Sequence, residues 1–388
     1  MSAEPLVFLV AAEESGDRLG GALMRALKAE RPGVRFAGVG GRDMQAQGLQ
    51  SLFPIDDLAL IGLAAIPGKL PLILRRIGET VRAAIAARPD VLVIIDSPDF
   101  THRVARRVRR RDPSIPIVDY VSPSVWAWRP GRARAMRGYV DHVLALLPFE
   151  PAVHRHLGGP PCSYVGHPLI EQISELRPGP EEAGRRLADP PVLAVLAGSR
   201  AGEIRRLMGP FAEAVALLRE RIGAFDLVMP TTPFLAERVE RQTRAWSVRP
   251  RIVVEARDRH AAFRAARAAL AKSGTVTLEL ALSGVPMVAA YRTAAIEAAI
   301  ARRVLRVPSV ILANLVLGEN VVPEFLQEDC TGPKLAEALV PLLSDTPQRR
   351  RQCEAFARLD AIMEIGKASP ARRAAGIVLR HAGSRTRP

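Results

Sequence analysis

The residues with the clearest chemical potential lie in a turn that follows an apolar run of strand length, residues 91–95. The turn contains two carboxylates, Asp96 and Asp99, and a proline that restricts its backbone. A carboxylate at the carboxyl end of a buried strand can accept a proton from a substrate hydroxyl, so Asp96 is a candidate general base. The competing interpretation is an Asx turn or a helix N-cap, and Asp99 could cap the helix while Asp96 stays free.

A second candidate site is formed by Gly198, Ser199 and Arg200, which follow another apolar run and precede a helical pattern. Glycine allows a ligand to approach the backbone, and serine can donate a hydrogen bond. Arginine can bind phosphate oxygens through two parallel donors. The three residues therefore predict a diphosphate site, although they are equally compatible with an ordinary helix start.

A third candidate site is the loop formed by Ser273, Gly274 and Thr275, which lies between an apolar run and a helical pattern. The unpaired N–H groups and the positive dipole end of a helix start favour an anion at this place. Glu279 follows Thr275 by one helical turn, where a carboxylate can bind ribose hydroxyls. The competing interpretation is an ordinary N-cap followed by a surface glutamate.

Cysteine and histidine spacing predicts no metal site and no disulfide framework. The three cysteines, Cys162, Cys330 and Cys353, have no paired spacing, which suits a reducing compartment such as the cytosol. His154 and His156 are two residues apart and so lie on different helix faces, and no HExxH motif accompanies them. The glycine spacings match neither a P-loop nor a dinucleotide-binding motif.

The elements that must position these residues alternate between apolar runs and helical patterns. This alternation is typical of a mostly parallel sheet covered by helices, so the predicted fold class is α/β. A stretch rich in Pro, Gly and Glu, residues 177–191, separates two series of runs and predicts two Rossmann-like domains. The predicted strands are residues 6–12, 34–39, 91–95, 115–121, 142–147 and 162–165 in the first series, and 192–196, 225–229, 252–254, 268–271 and 285–290 in the second.

Length and composition exclude a small stapled module and a disordered chain. The 388 residues are enough for about two and a half domains, and 48% hydrophobic with 24% charged residues is typical of folded proteins. The balance of 55 Lys and Arg against 40 Asp and Glu favours anionic partners, unless the arginines only form solvated helix faces. Nucleic acid is disfavoured because aromatic residues are few and no reader motif is present.

One segment, residues 58–74, does not fit a soluble pattern, because Lys69 is its only charge. It is shorter than the roughly 20 apolar residues that a membrane span needs, and Pro67 and Pro71 are expected to break it. Two interpretations remain open: a helix and loop that face inward, or an exposed patch that contacts a membrane. The candidate membrane contacts are Ile66, Leu70, Ile73 and Leu74.

Seven motifs in chain order give a more specific result than any single site. They are AEESGD at residues 12–17, DSPDF at 96–100, YVSPSVWAWRPGR at 120–132, VGHP at 165–168, AGSR at 197–200, SGTVTLE at 273–279 and NLVLGENVVPEFLQ at 314–327. Together they resemble the lipid A disaccharide synthase family of inverting glycosyltransferases over nearly the whole chain. The resemblance implies GT-B architecture, in which two Rossmann-like domains face a cleft.

The resemblance also implies an activity. A 2,3-diacylglucosamine unit would pass from its UDP carrier to the 6-hydroxyl of 2,3-diacylglucosamine 1-phosphate, giving a β-1,6-linked disaccharide and UDP without a cofactor. The family works on the cytoplasmic face of the Gram-negative inner membrane, so the anionic inner-membrane surface is an expected partner. The rival interpretation is another GT-B enzyme that uses UDP-N-acetylglucosamine, such as a muropeptide transferase or a 2-epimerase.

The family's pattern assigns roles to residues. Asp96 would be the general base, Arg200 and the loop at 273–275 would hold the diphosphate, and Glu279 would bind ribose. The residues expected to line the cleft or contact the acceptor are Glu13, Ser15, Gly16, Asp17, Asp99, Asn314 and Gln327. The chain departs from the family's usual glycine, asparagine and proline at Ala12, Thr101 and Ala197.

Three segments are expected from this organisation. Residues 1–176 form an acceptor and membrane-contact domain, and residues 177–344 form a UDP-sugar-binding domain. Residues 345–388 form a helical tail. That tail either crosses back to the first domain or exchanges with a second copy in a homodimer.

Overall fold

The computed structural model describes residues 4–58, 66–305 and 307–384. The chain divides into two compact units. The first unit contains Met1–Ile170 and Gly366–Pro388, and the second contains Glu171–Ile365. Each unit has a six-stranded parallel sheet with helices packed on it, so the predicted α/β class is confirmed.

The sheet of the first unit has the strand order β2-β1-β3-β4-β5-β6. Its strand β3 is the apolar run VLVII, and all five of its side chains are buried. Burial on both faces of a strand is typical of a parallel sheet that is covered by helices on both sides. The strands are β1 Leu6–Ala11, β2 Arg35–Val39, β3 Val91–Ile95, β4 Ile117–Tyr120, β5 His142–Ala145 and β6 Cys162–Tyr164.

The helices of the first unit are amphipathic and bury one face. The first helix buries Leu23, Met24 and Leu27, which recur at helical spacing, in the same apolar cluster as strand residues such as Val93. It ends just before Pro32, which cannot continue a helix. The helices are α1 Glu14–Glu30, α2 Arg42–Ala46, α3 Ile66–Ala87, α4 Pro98–Arg111, α5 Gly131–Met136 and α6 Glu150–His156.

The sheet of the second unit has the strand order β12-β11-β10-β7-β8-β9. Five of these strands match predicted apolar runs within two residues at each end. The edge strand β12 was not predicted, because its three side chains are only half-buried and give no apolar run. The strands are β7 Val192–Leu196, β8 Asp226–Pro230, β9 Arg251–Val253, β10 Ala268–Lys272, β11 Met287–Tyr291 and β12 Glu324–Leu326.

The helices of the second unit are joined by a buried arginine, Arg186. Its guanidinium donates hydrogen bonds to four backbone carbonyls, which satisfies a group that is costly to bury alone. Those carbonyls belong to Phe263, Arg264, Ser283 and Gly284. The helices are α7 Ile173–Leu176, α8 Pro180–Leu187, α9 Ala201–Ile222, α10 Pro233–Thr243, α11 Ala256–Ala265, α12 Val276–Leu282, α13 Ala295–Val304, α14 Leu312–Leu317, α15 Gly332–Leu339, α16 Pro347–Ala357 and α17 Leu359–Ile362.

The last helix, α18 Pro370–Gly383, packs on α1 and belongs to the first unit. Its residues Ala374 and Val378 enter the apolar cluster that contains Leu23. Residues 345–365 belong to the second unit instead, so the tail expected as one segment is divided between the units. The units divide after Ile170, whereas the sequence placed the boundary after residue 176.

Among the described helices, none is both long and apolar enough to cross a bilayer. Helix α3 starts at Ile66, so the expectation that Pro67 and Pro71 break this segment was wrong. Pro67 lies in the first turn, where an N–H group would have no partner within the helix. Residues 59–65 of the predicted apolar segment, and the side chains of residues 66–69, lie outside the described residues.

Candidate active site

A cavity of about 220 Å³ with both polar and apolar walls lies in the second unit. It is bordered by the carboxyl ends of β7, β8 and β10, the edge where parallel sheets bind ligands. Five predicted donor-binding residues line it, namely Gly198, Ser199, Gly274, Thr275 and Glu279. It is also lined by polar residues that the sequence analysis missed, which are Glu203, Thr231, Thr232, Arg259 and Lys272.

Glu203 connects two sides of this cavity. Its carboxylate accepts hydrogen bonds from the N–H groups of Ser199 at 3.0 Å and Arg200 at 3.3 Å, and it lies 3.0 Å from the Lys272 ammonium. Burial acts to raise the pKa of Glu203, but Lys272 and these two N–H groups outweigh it and hold the pKa below its usual value. Glu203 caps the N–H of Arg200, the N-cap residue of α9, but the sequence lacks the serine or threonine that marks a capping box at that position.

Two of the predicted donor-binding residues do not line the cavity. The side chain of Arg200 is 80% exposed and its nearest charged partner is Glu203, at 3.4 Å. Ser273 is buried, and its hydroxyl donates to the carbonyl of Val310 at 2.8 Å. Ser273 therefore fixes the loop, and its neighbours Gly274 and Thr275 provide the surface.

Several buried polar atoms in the cavity wall have no hydrogen-bond partner among the described residues. They include the hydroxyl oxygens of Thr231 and Thr232, Nε of Arg259 and Oε2 of Glu279. The Arg259 guanidinium and the Glu279 carboxylate are 3.6 Å apart, which is too far for a hydrogen bond. Buried polar groups are normally satisfied, so this wall has hydrogen-bonding capacity that the described residues do not use.

The loop that precedes α12 offers donors to the same cavity. Within the described residues, the N–H groups of Gly274 and Thr275 donate to no backbone or side-chain acceptor. A side chain at Gly274 would lie close to the Lys272 ammonium, because an added Cβ would be 3.6 Å from Nζ. An ammonium and two free N–H groups therefore lie close together, an arrangement that suits an anion.

Two other predicted cleft residues hold the backbone of the second unit. Asn314 is buried, and its side chain donates to the Val322 carbonyl and accepts from the N–H groups of Val321 and Val322. The side-chain oxygen of Gln327 accepts from the N–H of Thr293 at 3.3 Å. Neither residue lines this cavity, but Asn314 lines a second cavity of about 210 Å³ together with Ser309 and Glu319. The expectation that Asn314 and Gln327 line a cleft stays a prediction.

In the first unit, the half-buried Asp96 follows β3 directly. Its Oδ2 accepts a hydrogen bond from the Ser15 hydroxyl at 3.1 Å, and its Oδ1 accepts from the N–H of Ser97 at 2.8 Å. A carboxylate offers about four lone-pair positions, so Asp96 retains capacity for another donor. The fold therefore brings the predicted residues Ser15 and Asp96 together.

The backbone of Asp96 is held in a conformation that is costly for a residue other than glycine. Its φ is +52°, and φ of Ser97 is +45°. Two hydrogen bonds hold this turn: the Asp96 N–H donates to the Tyr120 carbonyl at 3.0 Å, and the Thr101 hydroxyl donates to the Asp96 carbonyl at 2.6 Å. Strain of this kind concentrates at functional sites, and here the strained turn fixes the direction of the Asp96 side chain.

Asp17 has a structural role. Its buried carboxylate accepts hydrogen bonds from the N–H groups of Gly41, Asp43 and Met44, which form the start of α2. These bonds satisfy donors that the helix itself cannot satisfy. Asp17 is therefore a helix cap supplied from a distant part of the chain, and the acceptor contact expected for it stays a prediction.

The remaining predicted residues of the first unit lie at the surface or in close packing. Glu13 is exposed at the N-cap of α1 and makes no capping hydrogen bond with its side chain. Asp99 also caps nothing; its side chain is 83% exposed and lies 3.7 Å from Arg132. Gly16 permits α1 to approach β3, because an added Cβ would be 3.2 Å from the carbonyl oxygen of Ile95.

The candidate membrane contacts are divided by the fold. Leu70 and Leu74 are exposed at 44% and 42%, and Arg75 beside them is also exposed. Ile73 packs against an apolar cluster that contains Ile77, so it belongs largely to the core. The fourth residue, Ile66, has a side chain outside the described residues.

Within the described residues, no group of three or more His, Cys, Asp or Glu side chains is placed to hold a metal ion. The three cysteines are free thiols. Burial raises the pKa of the Cys330 thiol to about 11, which suppresses the reactive thiolate at neutral pH.

The two sheets and their connections define a class of protein. MurG from Acinetobacter baumannii is similar, with a TM-score of 0.60 and 15% identity over 97% of this chain and 99% of that one. CalG4, the calicheamicin glycosyltransferase, has a TM-score of 0.58 and 18% identity over 98% of this chain and 99% of its own. At these identities the likeness is one of fold, and it confirms GT-B architecture with two Rossmann-like domains.

The sequence then gives the family. A family model described as lipid-A-disaccharide synthetase matches residues 7–377. A lipid-A-disaccharide synthase from Nitrobacter hamburgensis is 64% identical over 374 residues, which cover 96% of this chain and 94% of that protein. The chain belongs to the lipid-A-disaccharide synthetase family and is a glycosyltransferase that forms the lipid A disaccharide. The resemblance carried by the seven motifs is confirmed.

We expect Asp17→Ala to lower the free energy of unfolding of the first unit by about 3 kcal/mol, because three N–H groups lose their acceptor. Urea unfolding and amide hydrogen exchange at residues 41–44 measure the effect. Glu14→Ala is the matched control, since Glu14 is an exposed acid on the same helix. If the free energy of unfolding stayed unchanged while KM for the acceptor rose, the variant would favour acceptor contact as the role of Asp17.

Proposed function

We propose that this chain performs the family's reaction with Asp96 as general base and with the cavity of the second unit as the seat of UDP. A 2,3-diacylglucosamine unit moves from UDP to the 6-hydroxyl of 2,3-diacylglucosamine 1-phosphate, giving the β-1,6-linked disaccharide 1-phosphate and UDP. The observation that carries the proposal is the cavity wall, because its unpaired polar atoms and its Lys272 suit a nucleotide diphosphate.

The proposed base is supported by its position and its partners. The acceptor hydroxyl must lose a proton as its oxygen attacks the anomeric carbon, and a carboxylate within hydrogen-bond reach can take that proton. Asp96 is only half-buried, so a substrate can reach it, and the Ser15 hydroxyl orients one of its oxygens. Its rigid turn keeps the carboxylate in place while the substrate changes.

The proposed donor seat divides into two parts. Lys272 and the N–H groups of Gly274 and Thr275 suit the diphosphate and would stabilise the negative charge that develops on UDP as it leaves. The unpaired oxygen of Glu279 and the hydroxyl of Thr231 suit ribose or uracil, which bring their own donors and acceptors. Arg200 is exposed and unconstrained enough to add a further cation.

Membrane attachment is supported by the exposed residues of α3. Each of Leu70 and Leu74 would contribute at most about 1.5–3 kcal/mol on burial in lipid, and Arg75 about 1 kcal/mol near an anionic leaflet. Association costs several kcal/mol of that sum. The balance supports reversible attachment to the inner membrane of a Gram-negative cell, where acylated substrates reside.

We expect Asp96→Asn to reduce turnover by a factor of about a hundred to ten thousand, because the amide cannot accept the proton. The assay measures UDP release and disaccharide formation from synthetic acylated donor and acceptor. UDP affinity should not change, and the exposed Asp43→Asn is the control. Turnover near that of the control would refute the base assignment, and a wild-type protein that forms no disaccharide would refute the function.

We expect Lys272→Gln to raise the Kd for UDP about tenfold, because a charge-assisted contact to phosphate is lost. Calorimetric titration with UDP and with uridine separates the two parts of the seat, since uridine affinity should stay constant. Lys334→Gln is the control, because Lys334 is an exposed lysine of the same unit. Equal losses for UDP and uridine would show that Lys272 does not bind the diphosphate.

We expect Leu70→Ser with Leu74→Ser to weaken binding to phosphatidylglycerol vesicles about tenfold or more. The matched control is Leu187→Ser with Phe234→Ser, which removes two more exposed apolar side chains, at 72% and 75%, from the second unit. Vesicle sedimentation gives both affinities. Equal behaviour of the two double variants would argue against a specific contact through α3.

A further inference from the structure

One sequence motif has no role in the proposal above, namely residues 121–132, called here the tryptophan segment. It is tied firmly to the first unit on its buried side. The indole N–H of Trp126 donates to Glu150 at 3.1 Å, and the Ser122 hydroxyl lies 2.9 Å from Nε2 of the buried His154. These contacts fix the segment, so the side chains that it turns outward are held in defined positions.

One aromatic ring and two cations lie together at the outer side of the segment; Arg129 is exposed, and the side chain of Arg132 is 20% exposed. Trp128 is 37% exposed, whereas Ala127 beside it is buried. The guanidinium carbon of Arg129 lies 4.3 Å from the centre of the Trp128 ring, and that of Arg132 lies 5.9 Å from it. Arg129 has φ of +54°, a left-handed conformation that is costly for arginine. Two guanidinium groups are therefore gathered at one exposed ring.

These cations lie beside the turn of the proposed base. The N–H of Asp96 donates to the carbonyl of Tyr120, immediately before the segment. Arg132 forms an ion pair with Asp99 at 3.7 Å, which is too long for a hydrogen bond, and the guanidinium of Arg129 forms no hydrogen bond or ion pair with any described residue. Both guanidinium groups therefore have donors that the fold does not use.

We propose that Arg129 and Arg132, gathered at Trp128, bind the phosphate monoester of the acceptor sugar. This inference rests on the proposed function, in which the acceptor's 6-hydroxyl meets Asp96. The 6-hydroxyl, through its methylene carbon, and the 1-phosphate are carried by the two carbons that flank the oxygen of a single sugar ring, so the phosphate must be bound near the base. Guanidinium groups match phosphate oxygens with parallel donors, and the Trp128 face restrains them before the ligand arrives.

The choice of the acceptor phosphate over other anions follows from the same contacts. UDP has its own cation, Lys272, in the cavity of the second unit. A lipid headgroup shares the phosphate chemistry, but it carries no hydroxyl that must reach Asp96. The two cations therefore serve as positioning and binding residues that set which hydroxyl of the acceptor is presented.

The test uses the full-length protein in detergent micelles with two acceptors, diacylglucosamine 1-phosphate and diacylglucosamine without phosphate. Arg129→Gln with Arg132→Gln should raise KM for the phosphorylated acceptor about tenfold or more. The affinity for the other acceptor, measured as substrate or competitive inhibitor, should stay constant. The matched control is Arg110→Gln with Arg111→Gln, two exposed arginines at the far end of α4.

A second variant guards against misfolding. Arg129→Lys with Arg132→Lys keeps both charges but loses the planar fork, so its KM for the phosphorylated acceptor should fall between those of wild type and the glutamine variant. Thermal unfolding by circular dichroism confirms that each variant is folded. Equal changes for both acceptors, or no change for either, would overturn the proposal.

A further measurement separates the acceptor phosphate from a lipid headgroup. Binding of the glutamine variant to phosphatidylglycerol vesicles without substrate should equal that of the control. Weaker vesicle binding with an unchanged acceptor KM would assign the cations to headgroups and overturn the proposal. A wild-type protein that transfers to neither acceptor would refute the proposed function, and disaccharide formation with an unchanged KM refutes only this inference.

Discussion

The parallel pairing of β1, β3 and β4 is the constraint on which the candidate site of the first unit depends. Ala11 pairs with Ile95, and Ile95 pairs with Tyr120, so the three strands end at one level of the sheet. The segments that follow them therefore start side by side, which brings Ser15 to Asp96 although they are 81 residues apart. The bond from the Asp96 N–H to the Tyr120 carbonyl extends this pairing past the strand and fixes the strained turn.

The second unit uses the same constraint with different side chains. Strands β10, β7 and β8 are neighbours, so the loops that follow them surround one cavity. Glu203 joins two of these loops, because its carboxylate binds the N–H groups of Ser199 and Arg200 and also pairs with Lys272 at the end of β10. A capping interaction thereby becomes part of the site. It holds the lysine in place, and Gly198 makes it possible, since an added Cβ would be 2.4 Å from Oε2 of Glu203.

Much of the fold could be predicted from the sequence, because buried parallel strands are continuous apolar runs and the helices between them have apolar stripes. The site was predictable only in part. A polar residue in a motif serves either a ligand or the backbone, and only its hydrogen-bond partners distinguish these roles, as Asp17 and Asn314 show. Lys272 and Thr231 were missed because the order of strands in the sheet, which brings them together, has no direct signal in the sequence. Glu203 was missed because the residue at the N-cap is Arg200, where the capping-box pattern has serine or threonine.

The excess of positive charge illustrates why contacts decide what composition leaves open. The guanidinium of Arg186 donates to four backbone carbonyls, and Arg109 forms an ion pair with Asp141. Such arginines stabilise the fold and are not available to a ligand. Net charge counts them equally with Arg129, whose guanidinium stacks on Trp128 and has no anionic partner among the described residues. A count of charges therefore favours any anion, including nucleic acid or lipid. An arginine with unused donors in a fixed position favours a compact anion of matching geometry, because its binding requires little further loss of side-chain entropy.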